Sequence, residues 1–512
     1  MSDTPAARWI ARSWALLAAC SALYFLADNE ADNDLWVHLF TGERIVRLVA
    51  LPRVDDLSYT AAGSAWVDHE WLTQAAFAAI YNGLGSTGLW LCKLAVALVT
   101  AWLVWVPVAR RSRSPWVRGP VMVLVLATLA RGYAIRPQIV TYLGVAALLA
   151  GFDRFYGPRS RPAAAAIVAL VAAGFVLWVN AHGGFIVGLG IVALFAAAPG
   201  SAPAADPHTD RAATANEQGP PPLVLRLGML AGALGAMALN PYGVSLVGYL
   251  LAEVNAPHPL TEWQPVHFAD PAQLPFFILL GALLATLPFA RTLRRRPWWA
   301  ALVAIAALTA LRQQRHVPLF ALCAAAPLAE QADAALTALG GRLQLRLSSV
   351  AIAAIAIGLA GLAVVQLGLL AERLWLARGH IVYAAADYPV GALRFAREHG
   401  LRGNLAVPLD WGGYALWHAA PAIKVSLDGR FATVYPRTVV DDNFAFYRGD
   451  AARLLDAYDT TLVLVPQGAR TALDGRPGWQ LLYADRVAGL FAKSATSDGA
   501  HGDAPRGWLP FP

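Results

Sequence analysis

Carboxylates are concentrated in one segment of the sequence, Asp28 to Glu70, directly after the first apolar run. The segment holds nine acids and three bases, so its formal charge is 3 − 9 = −6, whereas the whole chain of 512 residues carries +7. Such a concentration can perform acid–base chemistry or bind cations. The acids are Asp28, Glu30, Asp32, Asp34, Glu43, Asp55, Asp56, Asp68 and Glu70, and the bases are Arg44, Arg47 and Arg53.

Two amphipathic helical stretches are predicted within this segment, one beginning at Asp32 and the other at Trp66. Asp34 and His38 lie one helical turn apart and can share a face. Each of the acids chosen below adjoins a tryptophan at a helix start, which suits a helix at a membrane interface. The predicted catalytic acids are Asp34, Asp32 and Glu70, and the predicted substrate-binding histidines are His38 and His69.

The same segment allows other interpretations. Glu30, Glu43 and Asp55 are interpreted as helix caps or solvated loop charges. Oxygen and imidazole ligands for a divalent metal are present, but their spacing matches no specific metal motif. We therefore predict no required cofactor and keep a divalent metal as an alternative. The ligands for it would be Asp32, Asp34, His38, Asp68, His69 and Glu70.

Further candidate residues stand at the ends of apolar runs. Guanidinium groups at a membrane boundary either snorkel to the surface or bind a lipid phosphate, and both interpretations remain open. The candidate phosphate-binding side chains are Arg136, Arg312 and Arg315. Polar sets at 180–184, 410–414 and 428–431 are interpreted either as turns or as substrate contacts. The side chains in question are Asn180, His182, Trp411 and Tyr414.

The composition predicts a polytopic α-helical membrane protein. Hydrophobic residues make up 57% and charged residues 14%, against about 45–50% and about 25% in soluble domains. Basic clusters fall on alternate connections between apolar runs, which predicts a cytoplasmic N-terminus and argues against nucleic-acid binding. About 11 spans are predicted: 9–27, 86–109, 119–132, 138–152, 163–179, 184–199, 223–239, 274–290, 297–311, 317–336 and 348–371.

Three regions follow from this pattern. A transmembrane domain is expected over 1–372, with an external loop at 28–84 and a cytoplasmic linker at 200–222. A soluble α/β domain is expected on the external face over 380–495, and a disordered tail over 496–512. The predicted strands are Asn404–Val407, Lys424–Leu427, Thr461–Val465, Gln480–Tyr483 and Ala488–Ala492, and the predicted helices are Val390–His399 and Ala451–Tyr458. The three cysteines lie in apolar runs, which excludes a disulfide framework.

Several short motifs resemble one family. The sequence is similar to the GT-C superfamily of polytopic glycosyltransferases, in particular to bacterial proteins grouped with dolichyl-phosphate-mannose and aminoarabinose transferases. The resemblance covers nearly the whole chain and is carried by Asp32–Trp36, Thr41-Gly42, Pro52, Trp66, Glu70–Leu72, Arg136–Gln138, Asn180–Gly183 and Asp410–Tyr414. Two features depart from the family. Asn33 separates Asp32 from Asp34 where the family has an adjacent Asp-Glu pair, and the Pro-Pro run after the loop is absent.

The resemblance implies a GT-C-like fold and sugar transfer from a polyprenyl-phosphate donor. The acceptor would be a cell-envelope glycan, lipid or protein at the external face of a bacterial inner membrane, among membrane lipids. Asp34 or Asp32 would be the general base, and the arginines would bind the donor phosphate. Two alternatives remain. One is a non-catalytic scaffold or glycan-binding membrane protein, and the other is a lipid or solute transporter, which the scarcity of ionisable mid-span residues disfavours.

Overall fold

The apolar runs of the sequence form long helices. The structure, a computed structural model, describes residues 5–154, 161–199, 221–255, 260–343, 348–494, 500–501 and 508–512. In chain order the first helices are α1 (Pro5–Leu26), α2 (Asn33–Leu48), α3 (Trp71–Arg111), α4 (Pro115–Ala130), α5 (Gln138–Arg154), α6 (Arg161–Ala181), α7 (Phe185–Ala196), α8 (Leu223–Ala236), α9 (Ser245–Asn255), α10 (Leu274–Ala285), α11 (Arg291–Arg295), α12 (Pro297–Arg312), α13 (Val317–Leu343) and α14 (Ser349–Leu376).

Each predicted span overlaps one of these helices, which confirms a polytopic helical architecture. In the described chain, five helices are long and apolar enough to cross a membrane, and shorter apolar helices accompany them. The number of helices that cross a membrane stays a prediction. The predicted linker 200–222, apart from its last two residues, lies outside the described residues, as do Arg159 and Arg346 of the basic clusters.

Helix α3 contains a break that separates an initial segment from the apolar one. Gly85 adopts φ 66° and ψ −169°, a conformation that glycine reaches without steric cost. Residues 71–84 therefore precede the break, and the predicted span begins directly after it. The helix begins at Trp71, five residues later than the predicted start at Trp66.

The described chain divides into two compact units. The first unit comprises Met1–Asp28 with Leu91–Leu376, and the second comprises Asn29–Trp90 with Ala377–Pro512. In the first unit α1 packs against α4 and α14, α6 against α8, and α12 against α13. The second unit joins the acidic segment to the C-terminal region, whereas the sequence grouped the loop 28–84 with the transmembrane domain.

The C-terminal region is the α/β domain that the alternating pattern predicted. Its elements are β1 (Val382–Ala384), α15 (Val390–Glu398), β2 (Gly403–Ala406), α16 (Leu409–Ala419), β3 (Ile423–Val425), α17 (Arg437–Arg448), α18 (Arg453–Asp456), β4 (Leu462–Pro466), β5 (Trp479–Ala484), β6 (Ala488–Lys493), β7 (Ala500–His501) and β8 (Trp508–Pro510). Within the described residues the main sheet has the order β3-β2-β4-β6-β5-β7. Strand β2 is parallel to β3 and β4, whereas β6 is antiparallel to β4 and β5.

Most of the tail expected to be disordered, 496–512, lies outside the described residues, and there the expectation stays a prediction. Of its described residues, 500–501 and 508–512, those of β8 pair antiparallel with β1, and Phe511 is buried. Two other expectations for this region need correction. The set 410–414, for which a turn was one interpretation, lies inside helix α16. The helix predicted over Ala451–Tyr458 is only the single turn α18, and α17 was not predicted.

Candidate active site

The start of α2 carries both of the first-ranked catalytic acids. Asp32 is the N-cap, with φ −77° and ψ 152°, and its carboxylate accepts a 2.9 Å hydrogen bond from the backbone N–H of Asp34. Asp34 is partly buried in the first turn, where the unbonded N–H groups and the helix dipole stabilise negative charge. One acid therefore caps the helix, and the other places a carboxylate in its first turn.

Glycines allow other helices to approach α2 closely. A Cβ on Gly42 would overlap the backbone carbonyl of Gln74 in α3. On the side of α16, a Cβ on Gly413 would lie 3.2 Å from the carbonyl oxygen of Asn33. The Gly-Gly pair at 412–413 is therefore a helix-packing feature, and the direction of α2 is set by contacts with both α3 and α16.

Trp36 anchors α2 in an aromatic core. Its fully buried ring stacks on Phe511 at 4.2 Å between centroids and meets Tyr414 edge-on at 4.8 Å. Trp411 is also buried, and its indole N–H donates a 2.7 Å hydrogen bond to the carbonyl of Asp387. Both predicted sugar contacts, Trp411 and Tyr414, are thus core residues, and this geometry does not support a sugar-stacking role for them.

Gly429 lies directly against the carboxylate of Asp34. A Cβ at this position would stand 2.5 Å from Oδ1 of Asp34 and 3.3 Å from a methyl group of Val37. Any side chain here would push against the candidate catalytic group or against the helix that carries it. The backbone at 429 therefore forms one wall of the site.

A buried ion network holds the loop that contains Gly429. Arg430 donates hydrogen bonds of 2.8 and 2.7 Å to Asp428 and one of 2.6 Å to Asp55. The Tyr435 hydroxyl donates to Asp428 at 2.6 Å. Burial alone would raise the pKa of Asp428, but the charge and hydrogen bonds of Arg430 outweigh it and lower the pKa. The network links the acidic segment to the C-terminal region within the second unit.

The third predicted acid, Glu70, lies between the two predicted histidines. Its carboxylate oxygens are 3.8 Å from Nδ1 of His38 and 3.7 Å from Nε2 of His69. The side-chain amide of Gln74 lies 3.4 Å from the same nitrogen of His38. Burial, together with repulsion from Glu70, raises the pKa of Asp68 to about 7. This cluster therefore contains a carboxyl group that exchanges its proton near neutral pH.

Asn33, which separates the two acids, is itself held by the C-terminal region. The Tyr388 hydroxyl donates a 2.6 Å hydrogen bond to its side-chain oxygen. Burial raises the pKa of Asp410 in α16, and the negative charge of Asp32 adds to this, against an opposing hydrogen bond from Asn33. The start of α2 thus faces a further carboxyl group.

The predicted phosphate-binding arginines belong to the first unit. Nη1 of Arg136 lies 2.9 Å from one carboxylate oxygen of Glu262, and Nη1 of Arg315 lies 3.8 Å from the other. Arg315 also stacks over the ring of Trp263 at 4.1 Å. Arg312 is exposed. Two guanidinium groups therefore converge on one carboxylate, an arrangement that a phosphate group also satisfies.

Asn180 and His182 make hydrogen bonds to nearby backbone and side chains. His182 Nδ1 accepts from the backbone N–H of Gly184 at 3.0 Å and lies 2.7 Å from the Thr141 hydroxyl. The Asn180 amide donates to the carbonyl of Leu239 at 2.9 Å. The bonds of His182 close the turn between α6 and α7, and the bond of Asn180 joins the end of α6 to the chain after α8. A substrate contact by either side chain stays a prediction.

Metal ligands were the remaining alternative for the acidic segment. Among the residues that the structure describes, no three His, Cys, Asp or Glu side chains are grouped so that they could hold a metal ion.

Comparisons with known proteins concern the fold of the whole chain. No protein-family model matches the sequence, and no curated protein matches it. The solved structure of ArnT from Cupriavidus metallidurans in the apo state is 12% identical, with 96% of this chain and 99% of that chain covered and a TM-score of 0.49.

A second protein gives higher TM-scores. The oligosaccharyltransferase from Archaeoglobus fulgidus in the apo form is 14% identical, with 90% of this chain and 69% of that chain covered and a TM-score of 0.56. The oligosaccharyltransferase AglB from Archaeoglobus fulgidus in complex with an inhibitory peptide and a dolichol-phosphate gives 13% identity, the same coverage and a TM-score of 0.55. The chain has a GT-C-like fold.

The GT-C-like fold agrees with the family resemblance of the sequence motifs, and the apolar helices make the chain a multi-pass membrane protein. Sequence analysis missed the residues that hold Asp34 in this fold. Gly429 and Arg430 were interpreted first as turn residues, and Asp55 as a cap or solvated charge. Their common network joins positions more than 300 residues apart, so no local pattern could have predicted it.

Proposed function

We propose that this protein is a membrane glycosyltransferase that moves a sugar from a polyprenyl-phosphate-linked donor to a cell-envelope acceptor. The observation that carries the proposal is the pair Asp32 and Asp34 at the N-terminus of α2 in a GT-C-like fold. The oligosaccharyltransferase of similar fold has a solved structure in complex with a dolichol-phosphate, which supports a lipid phosphate as the donor carrier.

In the proposed reaction an acceptor hydroxyl oxygen attacks the anomeric carbon of the donor sugar. The bond between that carbon and the donor phosphate oxygen breaks, and its electron pair leaves with the phosphate. The proton of the acceptor passes to the carboxylate of Asp34, which acts as the general base. Asp32 is the second candidate, but its role as N-cap makes it a positioning residue first.

The leaving phosphate needs positive charge where its negative charge develops. Arg136 and Arg315 converge on the carboxylate of Glu262, and we propose that the donor phosphate replaces this carboxylate. Arg312, which is exposed, stays a weaker candidate.

Replacement of Glu262 by glutamine tests the phosphate site. Glu262→Gln removes the competing charge and is expected to tighten binding of a short-chain polyprenyl monophosphate by about tenfold, whereas Arg136→Gln weakens it by at least as much. Titration calorimetry measures both, with the exposed Glu372→Gln as the matched control. Unchanged affinity in both the Glu262 and Arg136 variants contradicts the assignment.

The basic clusters at the ends of alternate helices support an orientation in the inner membrane with a cytoplasmic N-terminus. In that orientation the acidic segment and the α/β domain lie on the external face, where a cell-envelope acceptor is available. Cysteine accessibility labelling at Asp441, an exposed position of the α/β domain, tests this. Labelling by a membrane-impermeant reagent in intact spheroplasts is expected, and labelling only after lysis contradicts it.

The reaction is tested by lipid mass spectrometry and glycan profiling of a deletion strain. The proposal predicts an accumulated polyprenyl-phosphate sugar together with the loss of one envelope decoration, both reversed by the wild-type gene. If the lipid profile and every decoration are unchanged, the protein does not perform this transfer in the cell.

A non-catalytic scaffold is the second candidate function. It is favoured by two observations, namely that Asp32 is used as a helix cap and that the backbone at Gly429 packs against Asp34. A transporter has less support. The buried Lys93 in α3 donates a 2.6 Å hydrogen bond to the backbone carbonyl of Asp28, directly after the end of α1. This is a structural bond.

A further inference from the structure

The second unit contains a cavity of about 630 Å³ at the opposite end of α2 from Asp34. Arg47 lies 13 residues after Asp34, which along a helix corresponds to about 20 Å. The cavity is therefore distinct from the candidate active site. Its walls come from the last turns of α2, the end of the first segment of α3, residues 56–57 and the connection from α16 to β3. They are formed by Phe40, Glu43, Arg44, Arg47, Leu48, Asp56, Leu57, Asn82, Ala420, Pro421, Ile423 and Lys424.

The charges of the lining favour an anion. Arg44 is already matched by Asp56, through two hydrogen bonds of 2.9 and 2.7 Å. Arg47 and Lys424 are exposed, with Glu43 as the remaining acid of the lining. Burial raises the pKa of Glu43 against the opposing charge of Arg47. With the bases Arg44, Arg47 and Lys424 against the acids Glu43 and Asp56, the lining is positive overall.

Exposed apolar side chains adjoin this positive cavity. Leu48 lines it and is 56% exposed. Val49, the next residue, is 90% exposed, and Leu84, two residues after the lining residue Asn82, is 70% exposed. Large apolar side chains beside arginine at the end of an amphipathic helix are typical of a helix that lies in the membrane interface. This patch supplies a surface for hydrocarbon chains next to a site for a negative charge.

The cavity also lies close along the chain to the apolar segment of α3. Asn82, which lines the cavity, precedes Ser86 by four residues, and the predicted span begins there. With the break at Gly85 between them, four residues separate the two positions by at most about 14 Å. The cavity is therefore near the point where the chain is predicted to enter the membrane.

We propose that this cavity binds the phosphate headgroup of an anionic membrane phospholipid. Arg47 and Lys424 contact the phosphate, and the acyl chains lie along Leu48, Val49 and Leu84. The inference goes beyond sugar transfer and does not depend on it, because neither the cavity nor the apolar patch includes Asp34.

Native mass spectrometry of the full-length protein tests the proposal. The protein is released from detergent micelles containing equal amounts of phosphatidylglycerol and phosphatidylcholine with the same acyl chains. The wild type is expected to retain phosphatidylglycerol preferentially. Each cation of the pair is expected to contribute about fivefold to this preference, so Arg47→Gln and Lys424→Gln lower it singly and nearly abolish it together.

Controls separate this site from general charge effects and from the proposed reaction. Arg437→Gln and Arg448→Gln remove exposed arginines elsewhere in the same unit and are expected to keep the preference. Asp34→Asn is also expected to keep it, whatever its effect on sugar transfer. Melting temperatures equal to that of the wild type show that the variants are folded.

Two outcomes overturn the proposal. One is an unchanged preference for phosphatidylglycerol in the folded double variant. The other is binding of inorganic phosphate alone that competes fully with phosphatidylglycerol, which would make the cavity a site for free phosphate and not for a lipid.

Discussion

Asp32 and Asp34 carry the same side chain two positions apart, but the start of α2 gives them different roles. Asp32 accepts the backbone N–H of Asp34 and fixes the first turn. Asp34 lies against Gly429, at the end of a helix dipole that stabilises its negative charge. The sequence predicted both acids as catalytic candidates but could not show that Asp32 is the N-cap. Capping depends on the backbone dihedrals of Asp32 and not on its neighbours in sequence.

Loss of the cap is predicted to affect stability. Asp32→Ala removes the N-cap of α2 and is expected to lower the free energy of unfolding by about 1 kcal/mol, whereas Asp32→Asn, which keeps an acceptor, costs little. Thermal melting in detergent measures both variants. Equal losses for alanine and asparagine would contradict the capping role.

Asp68 is predicted to make stability depend on pH. Its pKa in the folded protein is raised from 3.8 to about 7 by burial and by Glu70, so the folded state binds its proton more tightly than the unfolded state. Stability therefore falls as pH rises from about 4 to about 7, by about 4 kcal/mol at most. Asp68→Asn is expected to remove this fall, so the variant melts above the wild type at pH 8 and close to it at pH 4. If the difference in melting temperature between wild type and variant is the same at pH 4 and pH 8, the raised pKa of Asp68 is contradicted.

At the scale of elements, sequence and structure agree best where hydrophobicity alone decides. Long apolar runs predicted the positions of the membrane helices, and alternating β-rich runs predicted β2 to β6. Helix α16 had the alternative reading of a turn, because a Gly-Gly pair is usually turn chemistry. Here the two glycines allow close packing, because Gly412 lies against the backbone of Leu427 and Asp428, and Gly413 lies against α2. The sequence alone could not predict this packing, because these contacts are not local in sequence.

Glycine substitutions test this packing. Gly412→Ala would place a Cβ against the carbonyl of Leu427 and is expected to cost about 1–3 kcal/mol through overpacking. Gly83→Ala in α3 is the matched control, because no atom lies within 4 Å of its added Cβ, and it is expected to be neutral or stabilising. Denaturation of the purified protein measures both. A Gly412→Ala variant as stable as Gly83→Ala would contradict close packing at Gly412.

At the scale of the whole molecule, the second compact unit is built from two segments separated by the whole of 91–376. The sequence predicted the acidic loop and the α/β domain but assigned them to different domains. Hydrophobic periodicity describes each segment alone, whereas the salt bridge from Arg430 to Asp55 depends on both. A second contact also joins the two segments, because the ring of Phe511 stacks on that of Trp36.

The Arg430 network is predicted to hold these two segments together. Arg430→Gln leaves two buried carboxylates without their cation and is expected to cost about 3–5 kcal/mol. Hydrogen–deuterium exchange should then increase at 54–66 as well as at 428–435. Arg437→Gln, which removes an exposed arginine of the same unit, should leave both segments protected. Increased exchange confined to 428–435 would contradict the linking role.

The central claim is that Asp34 is the general base of a sugar transfer, and its most direct test is made in cells. The envelope decoration lost in a deletion strain is quantified after expression of the wild type, Asp34→Asn, Asp32→Asn, their double variant and Asp441→Asn, an exposed carboxylate of the same unit, all at matched protein levels. We expect Asp441→Asn to restore the decoration fully, and Asp34→Asn to transfer sugar about 10²–10⁴-fold more slowly. Full restoration by Asp34→Asn and by the double variant would contradict it.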